Sequence, residues 1–164
     1  MKGPQMNAQM LGIVGGGQLG RMLTIAAKPM GFEVVCLDPT PMCPASQVGA
    51  KQIVGALSDP VGLESLFAQV DVVTWEIEHI DVEALKYAQE QSGTAVRPAI
   101  SDLAMIQDKL AQKEALREAN VPVADFDAVS SSTDIITKLR DWGELIVKSR
   151  TGGFDGRGNF VVSS

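Results

Sequence analysis

Histidine is nearly absent from this chain of 164 residues, cysteine occurs only twice, and positive charge is in deficit. His79 is the single histidine, so neither a histidine-built zinc site nor a serine–histidine–aspartate triad is expected. Cys36 and Cys43 form no C-x-x-C pair and have no second ligand pair, so they read as reduced thiols in a cytoplasmic setting. The 14 basic residues face 20 acidic ones, a formal charge of −6 that argues against nucleic-acid or anionic-membrane partners. Any anionic ligand must be captured by local groups. The chain has no apolar run of 18 residues and no apolar core in its first eight, so neither a membrane span nor a secretion signal is expected. What it does have, 45% hydrophobic and 21% charged residues, is enough for a packed core. The length suits one ordinary domain and part of another.

From Met10 onward, short β-branched runs alternate with helical patterns, the signature of an α/β fold with a parallel sheet wrapped by helices. Strands are predicted at Leu11–Val14, Glu33–Leu37, Lys51–Val54, Val70–Trp75 and Ala95–Arg97, and helices at Leu19–Lys28, Val61–Phe67 and Val82–Gln91. Asp59-Pro60 and Asp81 supply helix starts, and Pro39, Pro41 and Pro44 make Asp38–Ala45 a connection. A second unit begins near Ile100. There Ser101 is expected to cap a helix, Asp108–Ala119 and Ser132–Trp142 read as helices, and Ala124–Val129, Leu145–Lys148 and Phe160–Val162 read as strands.

Three segments carry chemistry. Gly15-x-Gly17-x-x-Gly20 lies between a strand and a helix with Asp38 near the end of the next strand, which fits a dinucleotide fingerprint. The same glycines also serve any tight turn that places an anion at a helix N-terminus. Glu76 and Glu78 follow a strand end, where alternation would aim both into the crevice that open α/β sheets use for ligands. Glu78 and His79 also read as a helix-start acid and a surface imidazole. Finally, Lys148 closes an apolar strand beside Gly152, Gly153, Gly156 and Gly158, with Asp155 and Arg157 embedded among them. Such a loop can fold over phosphates, and it can equally be a plain hairpin turn.

Met10–Leu23, Val72–Ile80 and Lys148 with Thr151–Asn159 together resemble, in order, three motifs of the ATP-grasp ligases of purine biosynthesis. The resemblance runs from about Met10 to Val162. It implies a Rossmann-like pre-ATP-grasp domain over 10–99, after a loose tail over 1–9, and the beginning of an ATP-grasp domain over 100–164. The reaction it implies is ATP-dependent carboxylation of 5-aminoimidazole ribonucleotide with bicarbonate. By the same resemblance Gln18, Leu19 and Glu76 contact substrate, while Lys109, Lys148 and the loop Gly153, Phe154, Asp155, Gly156, Arg157, Gly158 and Asn159 hold nucleotide. Asp155 and Arg157 also face the substrate as catalytic residues.

Phe154 stands where many relatives carry tyrosine, which removes a hydroxyl from the loop. The resemblance places the magnesium ligands and the adenine pocket outside these residues, so the chain is expected to be an inactive segment of a longer enzyme, a homodimer when full length. Two other readings stand beside this one: a Rossmann-type nucleotide-binding module without ligase activity, and a formate-dependent glycinamide ribonucleotide formyltransferase. Taken alone, Gln18 reads as an exposed helix-start residue and Lys109 as a solvated helix lysine.

Overall fold

The computed structural model describes residues 9–153 and 157–163, which divide into two compact units, Met1–Leu103 and Ala104–Ser164. The tail expected over 1–9 falls almost wholly outside the described residues.

The first unit is a five-stranded parallel sheet of β1 (Met10–Val14), β2 (Glu33–Asp38), β3 (Lys51–Val54), β4 (Val72–Trp75) and β5 (Ala95–Val96). The order β3-β2-β1-β4-β5 places β1 between β2 and β4, with Gly12 opposite Val35 on one side and Val73 on the other. The chain therefore leaves β1 in one direction and later returns to its other edge. A crevice opens at such a switch point, beyond the carboxyl ends of β1 and β4.

The inner strands are apolar without alternation because both sheet faces are covered. Val34, Val35, Cys36 and Leu37 are all buried. Val35 and Leu37 join Leu63, Leu66 and Phe67 of α2 (Pro60–Phe67) and Leu85 of α3 (Val82–Ser92) on one face. Val34 and Cys36 meet Ala27 of α1 (Gln18–Ala27), Cys43 and Ala45 on the other. Burying each Leu or Val in these layers stabilises the fold by about 1.5–3 kcal/mol before chain entropy is counted.

Local signals place the helices. The Asp59 carboxylate accepts from Val61 N with Pro60 in the first turn, and Asp81 accepts from Glu83 N and Ala84 N. Both caps stand where the sequence put them. Ser101 does not. It lies inside α4 (Ile100–Gln107), and Asp102 instead accepts from Ala99 N at 3.0 Å, a carboxylate in the first turn displacing the hydroxyl.

In the second unit, α5 (Lys109–Glu118) and α6 (Ser132–Trp142) precede an antiparallel pair, β6 (Glu144–Lys148) and β7 (Asn159–Ser163). Ser131 and Asp134 form a reciprocal capping box at the start of α6. The strand expected at Ala124–Val129 is not formed. That segment has no ladder partner among the described residues, its Ala128 N turns to Asp127 Oδ1, and Phe126 lies under the Arg117 guanidinium. A strand without a neighbour has nowhere to place its backbone donors and acceptors.

Candidate functional site

In the first unit, the glycine turn after β1 is closed by the chain's own acids. Gly15 adopts φ +101°, a left-handed geometry suited to glycine, and its N–H donates to Leu37 O at 2.9 Å. The next amides are then free of strand pairing and point toward the crevice. Gly17 N donates to Glu76 Oε1 at 2.8 Å and Gly20 N donates to Glu76 Oε2 at 2.5 Å. Gly16 N donates to Asp38 Oδ2 at 2.8 Å, and the other Asp38 oxygen accepts from Thr40 N.

This arrangement changes what the fingerprint means. In a dinucleotide site the amides of such a turn and the dipole of the following helix face a pyrophosphate. Here a carboxylate from the adjacent strand end takes that place, and the acid suited to a ribose spends both oxygens on the turn and its loop. Neither the carboxylate nor the backbone leaves slack: a Cβ at Gly17 would lie 2.9 Å from Glu76 Oε1, and one at Gly20 would lie 2.7 Å from the Gly15 carbonyl oxygen. Hydrogen bonds to a charged acceptor are worth about 1.5–3 kcal/mol, so the turn and Glu76 hold each other in place.

Gln18 and Leu19 are the first two residues of α1, and both side chains are exposed. Thus Gln18, Leu19 and Glu76 gather at one edge of the first unit. Glu78 does not fit the expectation built on alternation, because β4 ends at Trp75 and the residues beyond it are no longer strand. Nor is it a helix-start acid, since α3 begins at Val82 under Asp81. Its Oε1 lies 3.8 Å from His79 Nε2, and both side chains are substantially exposed.

In the second unit, Lys148 ends β6 with its side chain exposed and its residue opposite Asn159. Ser149 N donates to Gly158 O at 2.8 Å, which draws the two legs of the glycine loop together. Gly158 has φ +75°, and a Cβ there would lie 2.6 Å from Ser149 Oγ; one on buried Gly153 would lie 2.6 Å from Arg157 O. These glycines are therefore demanded by close approach within the hairpin itself. Arg157 is exposed, and Phe154, Asp155 and Gly156 lie outside the described residues.

Lys109 opens α5 directly after its cap, Asp108, whose Oδ1 accepts from Leu110 N and Ala111 N. Arg150 Nε donates to both Asp108 oxygens, at 2.8 and 2.7 Å, and Lys109 N donates to Arg150 O at 2.9 Å. Partial burial raises the Asp108 carboxyl, but the Ala111 amide, Arg150 and the Leu110 amide outweigh it and leave it below the usual aspartate value. The Lys109 ammonium lies 3.5 Å from where a Gly153 Cβ would stand. Asp108 and Arg150 were absent from the sequence-based set, although an aspartate opening a run of good helix formers is a cap signal.

The fold and the turn define a doubly wound parallel α/β domain in which the Gly16, Gly17 and Gly20 amides are already taken by the chain's own carboxylates. The ribonucleotide synthetase pre-ATP-grasp domain model matches residues 8–107, and the chain belongs to that family. A phosphoribosylaminoimidazole carboxylase from Ogataea methanolica is 40% identical over 161 residues, 96% of this chain and 30% of that protein. The crystal structure of N5-carboxyaminoimidazole synthetase from Staphylococcus aureus complexed with ADP superposes with a TM-score of 0.87 at 36% identity, over 95% of this chain and 42% of that one. The Aspergillus clavatus N5-carboxyaminoimidazole synthase in complex with ADP and 5-aminoimidazole ribonucleotide gives 0.81 at 32% identity, over 96% and 41%. The chain thus spans between about a third and two fifths of the length of these relatives.

Proposed function

We propose that this chain forms part of an N5-carboxyaminoimidazole ribonucleotide synthase, a cytoplasmic ATP-grasp ligase that joins bicarbonate to 5-aminoimidazole ribonucleotide in de novo purine biosynthesis. The observation that carries the reading is the Glu76 carboxylate fixed by the Gly17 and Gly20 amides. An acid seated there repels a pyrophosphate and offers its remaining lone pairs to a ligand that donates hydrogen bonds, such as an amine or a ribose hydroxyl. This also disfavours the dinucleotide-binding alternative.

In the proposed reaction the γ-phosphoryl group of ATP passes to a bicarbonate oxygen, giving carboxyphosphate and ADP. The ribonucleotide amine then attacks the carboxyl carbon, the bond to phosphate breaks, and the nitrogen loses a proton. Carboxyphosphate must be kept from water, a role suited to a glycine loop that closes over it. In this reading Lys109, Lys148 and the loop from Gly153 through Phe154, Asp155, Gly156, Arg157 and Gly158 to Asn159 hold the nucleotide. Asp155 and Arg157 orient substrate, and Gln18, Leu19 and Glu76 line the ribonucleotide side. Among the described residues no group of three or more histidine, cysteine, aspartate or glutamate side chains stands close enough to hold a metal ion. Magnesium belongs to the proposal as a cofactor whose ligands lie outside these residues, and no step is assigned to it. Among them, too, no helix is long and apolar enough to cross a membrane. A homodimer remains part of the proposal for the full-length enzyme.

Calorimetric titration of the full-length enzyme with aminoimidazole ribonucleotide and with NAD, under one set of conditions, tests the reading. Saturable ribonucleotide binding with no NAD response is expected. Micromolar NAD binding without a response to the ribonucleotide overturns it.

A further inference from the structure

We infer that Asp108 and Arg150 are positioning residues, a clamp that fixes the root of the glycine hairpin to the first turn of α5 and so holds Lys109 and Lys148 at a set separation for the nucleotide. The inference rests on the proposed ATP-dependent reading, and adds to it a pair of side chains that does not itself touch ligand.

Five hydrogen bonds make the clamp. The Asp108 carboxylate is anchored on the helix side by the Leu110 and Ala111 amides. Arg150 Nε spans both of its oxygens from the hairpin side. The Lys109 amide then donates to Arg150 O, so the two segments are joined through backbone as well as side chain. Ser149 N, next to Arg150, carries the connection to the far leg of the loop at Gly158 O. Lys109 follows Asp108, and Lys148 precedes Arg150 by two residues, so each lysine sits beside one jaw.

An ion pair as exposed as this one, with the Arg150 side chain 62% accessible, adds little when its partners are loose. Asp108 is not loose, because capping has already fixed its rotamer, and Arg150 meets a preorganised acceptor. Its contribution is therefore better spent on geometry than on overall stability. Two cations on different elements repel each other unless a phosphate lies between them, and a fixed spacing lowers the ordering needed when nucleotide arrives.

The test uses Asp108→Asn, Arg150→Lys and the double variant in the full-length enzyme. Asparagine keeps the cap and loses the charge, whereas lysine keeps the charge and loses the planar donor. Each single variant is expected to raise the KM for ATP about three- to tenfold, with the KM for ribonucleotide held within about twofold and the double variant no worse than the weaker single one. Without nucleotide, the Lys109 and Ser149 amides should exchange with solvent faster by a similar factor. Unchanged ATP dependence in both single variants, or equal rises for ATP and ribonucleotide, overturns the clamp. If the wild-type enzyme carboxylates no ribonucleotide, the functional reading fails by itself. ADP binding to wild type and variants then decides the clamp, which falls if the variants bind as wild type does or if wild type binds no ADP.

Discussion

The sulfur atoms of Cys36 and Cys43 lie 3.7 Å apart with both residues fully buried, one on β2 and the other in the loop that covers the glycine turn. Burial and the neighbouring Cys43 thiol push Cys36 from its ordinary value of 9.0 up to about 12. The thiol form is thus favoured by folding. Stability from this group is complete below pH 9.0 and is lost as pH rises toward about 12, because the unfolded chain releases its proton first. Chemical unfolding between those limits should show a slope of at most about 1.4 kcal/mol per pH unit that Cys36→Ala removes. Identical slopes for the two proteins would contradict the assignment.

Glu76 should matter to stability as well as to ligand. Replacing it by alanine strands the Gly17 and Gly20 amides in a half-buried turn, for a loss of about 1–3 kcal/mol in urea unfolding. Ribonucleotide binding should weaken by a similar amount if a lone pair of the same carboxylate meets the ligand, and calorimetry on the folded variant separates the two effects.

Gly158→Ala is expected to destabilise the hairpin more than Gly143→Ala does. Both glycines have positive φ, but a Cβ at Gly158 meets Ser149 Oγ at 2.6 Å, whereas one at Gly143 meets nothing within 4 Å. Strain alone is worth about 1–2 kcal/mol, and the contact adds to it. Thermal unfolding that ranks the two variants in the opposite order would show that the loop legs are held less closely.

The two ends of the loop should separate kinetically. Lys148→Ala is expected to raise the ATP requirement while leaving the ribonucleotide requirement alone, since an ammonium at a strand end acts on phosphate charge. Asp155→Ala should depress ribonucleotide-dependent turnover far more than it weakens nucleotide binding, because its carboxylate is the loop group proposed to orient substrate. Steady-state assays varying one substrate at a time check both, and an untouched ribonucleotide dependence in Asp155→Ala would return the segment to a simple hairpin.

Much of the first unit could be read directly, because its signals are local. The unbroken apolar runs of β1 and β2 announced a sheet covered on both faces, and the caps at Asp59 and Asp81 are written within three residues of the amides they serve. What escaped was long-range or depended on absent neighbours. Glu76 reaches Gly17 across 59 residues, and Arg150 reaches Asp108 across 42, separations at which no spacing rule operates. The residues at Ala124–Val129 have a strand's composition in part, yet pairing is a property of two segments and cannot be read from one.

The acid at the Gly15–Gly20 turn also bears on how such turns are sorted by sequence. The glycine spacing alone does not separate a turn that receives a cofactor from one already filled by its own chain. The discriminating character sits on the strand beside β1: a glutamate one position past the end of β4 reaches the helix start. A residue without an acceptor at that position would leave the same glycines vacant. Searches that pair the glycine pattern with the identity of that single distant position should divide superficially alike chains into those with an open anion berth and those that carry a resident one.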